Sequence, residues 1–159
     1  MPNIVTADEL RAVLGVSDSL FNDAYLDQMI DSAELTILPL LTQYQSSISA
    51  TRVKDSIAYF TTIRPCYFAV GQTVVVTGCG DLNGTYTITA DSRNAYEFSV
   101  TVAEPDQVIY AVIPAGFATL SGSSASQLYA NVAPIKNAIL VVSVEIFQSI
   151  TSPGNQIMG

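Results

Sequence analysis

Histidine and tryptophan are absent from this chain, cysteine occurs twice, and lysine and arginine together occur six times. Without histidine the commonest general acid–base group at neutral pH is missing, and so is the commonest metal ligand. Acid–base chemistry would fall to a tuned carboxylate among Asp8, Glu9, Asp23, Asp27, Asp31, Glu34 and Glu145. Asp23, Asp27 and Asp31 recur at every fourth position and could touch a cation, but the solvated face of an amphipathic helix accounts for them. Cys79 stands between Gly78 and Gly80, a setting that suits an exposed nucleophile. No histidine or nearby lysine activates it, so a turn residue is the reading. Cys66 and Cys79 are expected to be reduced and inert. No nucleophile-elbow or phosphate-loop pattern occurs. The expectation is a non-enzyme, with no catalytic, cofactor-binding or metal-ligating residues and no cofactor.

Positive charge is scarce as well. Six basic against fourteen acidic residues give a formal charge of −8, which opposes a nucleic-acid grip built on phosphate neutralisation. Charged residues make up 13% of the chain, about half the usual share, and 49% is hydrophobic. That composition excludes intrinsic disorder and suits a chain that hides surface in an oligomer. The first residues, Met1-Pro2-Asn3, carry no signal-peptide pattern. The longest apolar stretch, residues 135–150, is interrupted by Lys136, Asn137, Ser143, Glu145 and Gln148, and reads as too short and too polar to span a membrane. At 159 residues, one domain or one domain with a modest insertion is expected.

What is present is a change of period. Both flanks read as helices, whereas residues 69 to 119 read as short strands and tight turns. Thr6-Ala7-Asp8-Glu9 is a capping box, opening a helix that places Leu10, Val13 and Leu14 on one side and stops at Gly15. After cap candidates in residues 17–22, a longer helix carries Leu26, Met29, Ile30, Ala33, Ile37, Leu40 and Leu41, with Asp23, Asp27, Asp31 and Glu34 mostly opposite. Pro39 should kink or break it. Val53, Ile57, Phe60 and Ile63 predict a third helix over 51–63, ending at Pro65.

Strands follow at residues 73–77, 85–90, 95–102 and 108–113, the last stopped by Pro114, with a short fifth at 116–120. Gly78-Cys79-Gly80 and Leu82-Asn83-Gly84 are the turn signals after the first of them, and residues 91–94 a loop. Residues 121–126 read as a Ser/Gly hinge. Pro134 suits the first turn of a last helix, in which Ile135, Ala138, Ile139, Val142, Ile146 and Ser149 share a face and Leu140, Val141, Val144 and Phe147 make much of the rest apolar. Such a helix belongs beneath the other helices or against a neighbouring subunit. Glu145 is its one acid, either buried beside Arg52 or Arg64 or on the solvent face.

The predicted fold is α+β: a small helical bundle of three to four helices over residues 1–66 and 121–150, with an inserted four- to five-stranded antiparallel β-subdomain over 67–120. Residues 151–159 form a C-terminal tail, a candidate arm.

Three stretches together resemble the head–tail connector (head-to-tail adaptor) proteins of tailed bacteriophages. They are the opening Thr6-Ala7-Asp8-Glu9-Leu10 with Leu14-Gly15 and its acidic second helix, the closing Ala133-Pro134-Ile135-Lys136-Asn137-Ala138 through Glu145-Ile146-Phe147-Gln148 to Thr151-Ser152-Pro153-Gly154, and a middle module. That module, Gly71-Gln72-Thr73-Val74 with Leu82-Asn83-Gly84-Thr85-Tyr86-Thr87-Ile88, is similar to β-modules of phage virion proteins broadly. The β-insert departs from the simplest members of the family.

The resemblance implies a structural protein of the virion neck, made in the host cytoplasm. It implies a homo-oligomer, commonly a dodecameric ring, bound to the portal protein and to a downstream connector or tail-terminator protein. DNA would pass through its lumen without sequence-specific binding, and no membrane is involved. The candidate interface comprises Tyr129, Ile135, Ile139, Val142, Ile146, Phe147, Thr151, Pro153 and Ile157. Alternatives are a tail-completion or terminator ring, and a host-surface or glycan-binding module that would need Tyr86, Tyr96, Phe98 and Tyr110 as an exposed patch.

Overall fold

A computed structural model describes residues 2–90 and 94–151, the Ala90 side chain excepted. The chain divides into two compact units, one helical and built from both ends of the chain, the other formed by Leu41–Ser124.

In the helical unit, α1 (Ala7–Leu14) begins at the expected capping box: Glu9 N–H donates to Thr6 Oγ1, and Thr6 N–H donates to the Glu9 carboxylate. Gly15, at φ +69°, closes it in the left-handed region that glycine adopts most easily. Ala7, Leu10 and Arg11 are its buried side, while Val13, expected on that side, faces solvent. α2 (Asp23–Ile37) is capped by Asn22, whose side chain accepts from Tyr25 N–H. Pro39 ends the α-helical run as expected, and Leu38–Leu40 form one tighter 3-10 turn. Leu26, Met29, Ile30, Ala33 and Glu34 are the buried stripe of α2. Glu34 therefore lies on the core face, not opposite it.

α3 (Gly122–Tyr129) replaces the expected hinge. Its first turn is held by Ser124 N–H donating to Ser121 Oγ at 3.4 Å, and the Ser124 hydroxyl itself accepts from Thr73 N–H at 2.8 Å. Serine served there as a cap rather than as a flexible spacer.

α4 (Ala133–Thr151) spans 19 residues, and Ile139, Ser143 and Phe147 are its buried positions. Phe147 meets the edge of Phe21 at 5.0 Å, and Lys136 Nζ reaches Glu9 at 2.5 Å. By length and mean hydropathy alone, 1.3 over its apolar window, α4 could cross a membrane, so the expectation that it is too short and too polar is corrected. Its contacts with α1 and α2 are those of a bundle helix.

The second unit is a closed six-stranded antiparallel barrel, in the order β1-β2-β5-β4-β3-β6. It corrects the expected four to five strands and starts at residue 41, not 67. The segment predicted as a third helix is instead most of the hairpin β1 (Gln45–Lys54) and β2 (Ile57–Thr62). The positions Val53, Ile57 and Phe60 match a helical period by coincidence. The true period is two, with Thr51, Val53, Ala58, Phe60 and Thr62 buried. Asp55 and Ser56 both take positive φ, +52° and +63°, giving a two-residue turn of the primed kind that twists as the strands do. An irregularity between Ile48 and Ala50 switches the inward set from Ser46 and Ile48 to Thr51 and Val53.

β3 (Thr73–Thr77), β4 (Gly84–Ala90) and β5 (Glu97–Thr101) match expectation to within a few residues. The turn after β3 uses Gly78 and Gly80 at positive φ, and Asn83 acts through its side chain, accepting from Cys79 N–H at 2.7 Å. β6 (Gln107–Leu120) is one long strand. Pro114 does not stop it, because it sits in a bulge: Ile48 and Ala50 of β1 face Gly116 and Ala111, so the four residues 112–115 of β6 stand against Ser49 alone. The Ile113–Pro114 peptide bond is cis.

Phe60 and Phe98 stack at 4.8 Å in the barrel core, with Phe68 edge-on to Phe98 at 5.4 Å. Ile48, Val74, Val76, Leu82, Ile88, Val100 and Leu120 are buried with them.

Candidate functional site

The acids that sequence singled out are placed individually rather than as one site. Asp23, with Asp8 and Asp18, surrounds Arg11, whose side chain is largely buried. Asp8 Oδ1 lies at 2.7 Å, Asp18 Oδ1 at 2.8 Å and Asp23 Oδ1 at 2.6 Å. Arg11 also donates to Phe21 O at 3.1 Å. The hydrogen bond to Asp23, and then the charges of the three acids, raise the Arg11 pKa against the opposing effect of burial. One arginine thus clamps the end of α1 to the start of α2. Among the described residues no group of three or more acids or thiols is arranged to hold a metal ion.

Glu34 is the buried acid, and Glu145 is not. Glu34 Oε1 accepts from the N–H groups of Asn3, Ile4 and Val5 at 3.1, 2.7 and 3.2 Å, and Oε2 from Asn3 at 2.9 Å. A negative group at the focus of successive amides satisfies donors that the N-terminal segment could not pair by itself. Glu145 lies on the solvent face of α4 and makes no ion pair among the described residues. Arg52 is engaged within the barrel, its guanidinium carbon 3.7 Å over the Tyr59 ring and Nη2 3.8 Å from Glu97. Arg64 is exposed.

Cys66 and Cys79 are free thiols. Burial pushes both pKa values up, so neither is a ready thiolate. The four aromatics of the glycan reading do not form one patch. Phe98 is buried, Tyr86 is half-buried and donates its hydroxyl to Leu82 O at 3.0 Å, and Tyr96 and Tyr110 are exposed.

What the molecule offers outward is apolar surface, in both units. In the helical unit, Tyr129, Ile139 and Phe147 of the expected interface are buried, Ile135, Val142 and Ile146 are half-buried, and Thr151 is exposed with its hydroxyl on Phe147 O. Pro153 and Ile157, and the tail beyond Thr151, lie outside the described residues. The exposed apolar side of α4 is a different one. Val141 is 62% exposed and Val13 of α1 58% exposed, and with Leu140 and Val144 they line an apolar groove of about 380 Å³ bounded by Asn137 and Glu145. The sequence carried this signal in Val141 and Val144, which make α4 apolar beyond the one face a small bundle can cover.

In the barrel, β3 borders β6 only at residues 117–120. Along residues 107–111, β6 has β1 on one edge, and its other edge is unpaired among the described residues. A slot of about 390 Å³ lies there, lined by Gly78, Cys79, Asp81 and Leu82 across from Gln107 and residues 110–113, with Thr51. Sequence reasoning missed it, because both faces of a strand read as apolar when the strand is buried and also when it awaits a neighbour.

No protein-family model, no curated protein and no solved structure matches this chain.

Proposed function

We propose that this chain is a non-enzymatic structural subunit of a phage virion, a ring-forming adaptor between the portal and the tail or next connector protein. The observation that carries the reading is the apolar side of α4, left open by its own unit around Val141 and Val13. A monomer gains nothing by exposing such a groove, whereas a subunit covers it with the next copy. The resemblance of both chain ends to connector proteins supports the same reading. So does the charge of −8, which lets DNA move along a lumen without being held. Ring closure joins unlike patches under rotation, so the groove of one copy meets a different surface of its neighbour.

Native mass of the purified chain, with and without Val141→Glu, tests this. The wild type assembles into a closed ring and binds portal-bearing capsids. The exposed substitution leaves the fold intact by circular dichroism and breaks the ring. Capsids that ignore the wild-type ring would remove the adaptor role while leaving the ring.

A further inference from the structure

We propose that the open edge of β6 over residues 107–113 is a self-association site, where β6 of a second copy adds as an antiparallel strand about a two-fold axis. The inference goes beyond the ring reading and does not depend on it, since a two-fold contact joins like patches and ring closure joins unlike ones. A strand edge presents a row of main-chain donors and acceptors, and natural sheets guard such edges with lysine, proline or inward charge. Residues 108–113, Val-Ile-Tyr-Ala-Val-Ile, carry none of these, and proline arrives only at 114.

The barrel closes where β3 meets β6 at residues 117–120, and the earlier residues of β6 leave that edge uncovered among the described residues. Tyr110 sits in register with Thr51, whose side chain is buried, yet Tyr110 is 60% exposed and opens onto the slot. Val108 and Ile109, on opposite faces of the strand, are both exposed, so one added strand covers apolar surface on both faces.

A second copy is the occupant that the charge distribution favours. Two chains of −8 repel wherever their acids meet. β6 has no charged residue in its 14 positions, and Asp106 at its start is held by Lys54 Nζ at 3.0 Å. Antiparallel pairing also places valine, isoleucine and tyrosine, the strongest strand formers, against their own kind.

Sedimentation equilibrium of the full chain tests this, using wild type, the double variant Ile109→Lys/Ile113→Lys and the strand-forming control Ile109→Thr. Both positions of substitution are solvent-exposed, and circular dichroism reports that each variant folds. The wild type self-associates, the double lysine variant weakens association by roughly tenfold or more by setting like charges opposite one another, and the threonine control stays within a few-fold of wild type. In a background with Cys66→Ser and Cys79→Ser, Ala111→Cys, at the exposed position on the axis that sets 109 opposite 113, forms a disulfide-linked pair under mild oxidation. A wild type that stays monomeric, or an assembly indifferent to the two lysines, overturns the proposal. So does an edge that captures an extended segment of another protein but never a second copy. A ring that survives the lysines and is lost in Val141→Glu overturns this contact and leaves the ring reading standing.

Discussion

Glu34 ties the N-terminal segment to α2, its carboxylate accepting from the main-chain N–H groups of Asn3, Ile4 and Val5. It lies four residues after Ile30 and eight after Leu26, so the spacing of the α2 stripe places it in the core. Its charge argued for the opposite face, and the missing information was the set of amides from Asn3 to Val5 that meets it. Glu34→Ala leaves those donors buried without an acceptor and should cost about 3 kcal/mol, read as a lower urea midpoint with unchanged slope.

Glu9 gives a pH test. Lys136, and next the Thr6 amide, hold its carboxyl below its ordinary 4.5. The folded state therefore binds this proton less readily than the unfolded chain. The contribution is complete above the ordinary value and is lost as pH falls through the lowered one. Because the pair is partly solvated, it amounts to only several tenths of a kcal/mol. Lys136→Ala should lower stability at pH 7 by that amount, and the difference from wild type should vanish in acid. A difference constant down to pH 2 would assign the effect to packing.

At the scale of elements, what could be read depended on how local the determinant was. The capping box of α1, the stop at Pro39, the start of α4 and strands β3 to β5 rest on neighbouring residues, and the structure has them all. The hairpin β1–β2 was misread because its turn, Asp55-Ser56, lacks the glycine that announces positive φ. The lowered cost of that conformation in Asn-Gly predicts that Asp55→Asn/Ser56→Gly stabilises the barrel by about 1 kcal/mol, seen as a higher melting temperature. Phe60→Ala, which removes a ring stacked on Phe98, should cost about 3–5 kcal/mol. The continuity of β6 through Pro114 was not readable at all, since it depends on a bulge that exists only against β1.

For the whole molecule, the α+β class was visible in the change of period, while barrel closure was not. Closure rests on β1 pairing with β6, strands far apart in sequence, and no local pattern encodes that partnership. Both units retain apolar surface after folding, α4 with its groove and β6 with its open edge. A chain with so few charges folds into its units and leaves this surface uncovered, and we propose that further copies cover it. Native mass spectrometry of the wild-type chain beside Val141→Glu tests it most directly. The account predicts a closed multi-subunit ring for the wild type and a folded, lower-order species for the variant; a wild type that remains a monomer at all concentrations, indistinguishable from Val141→Glu, would contradict it.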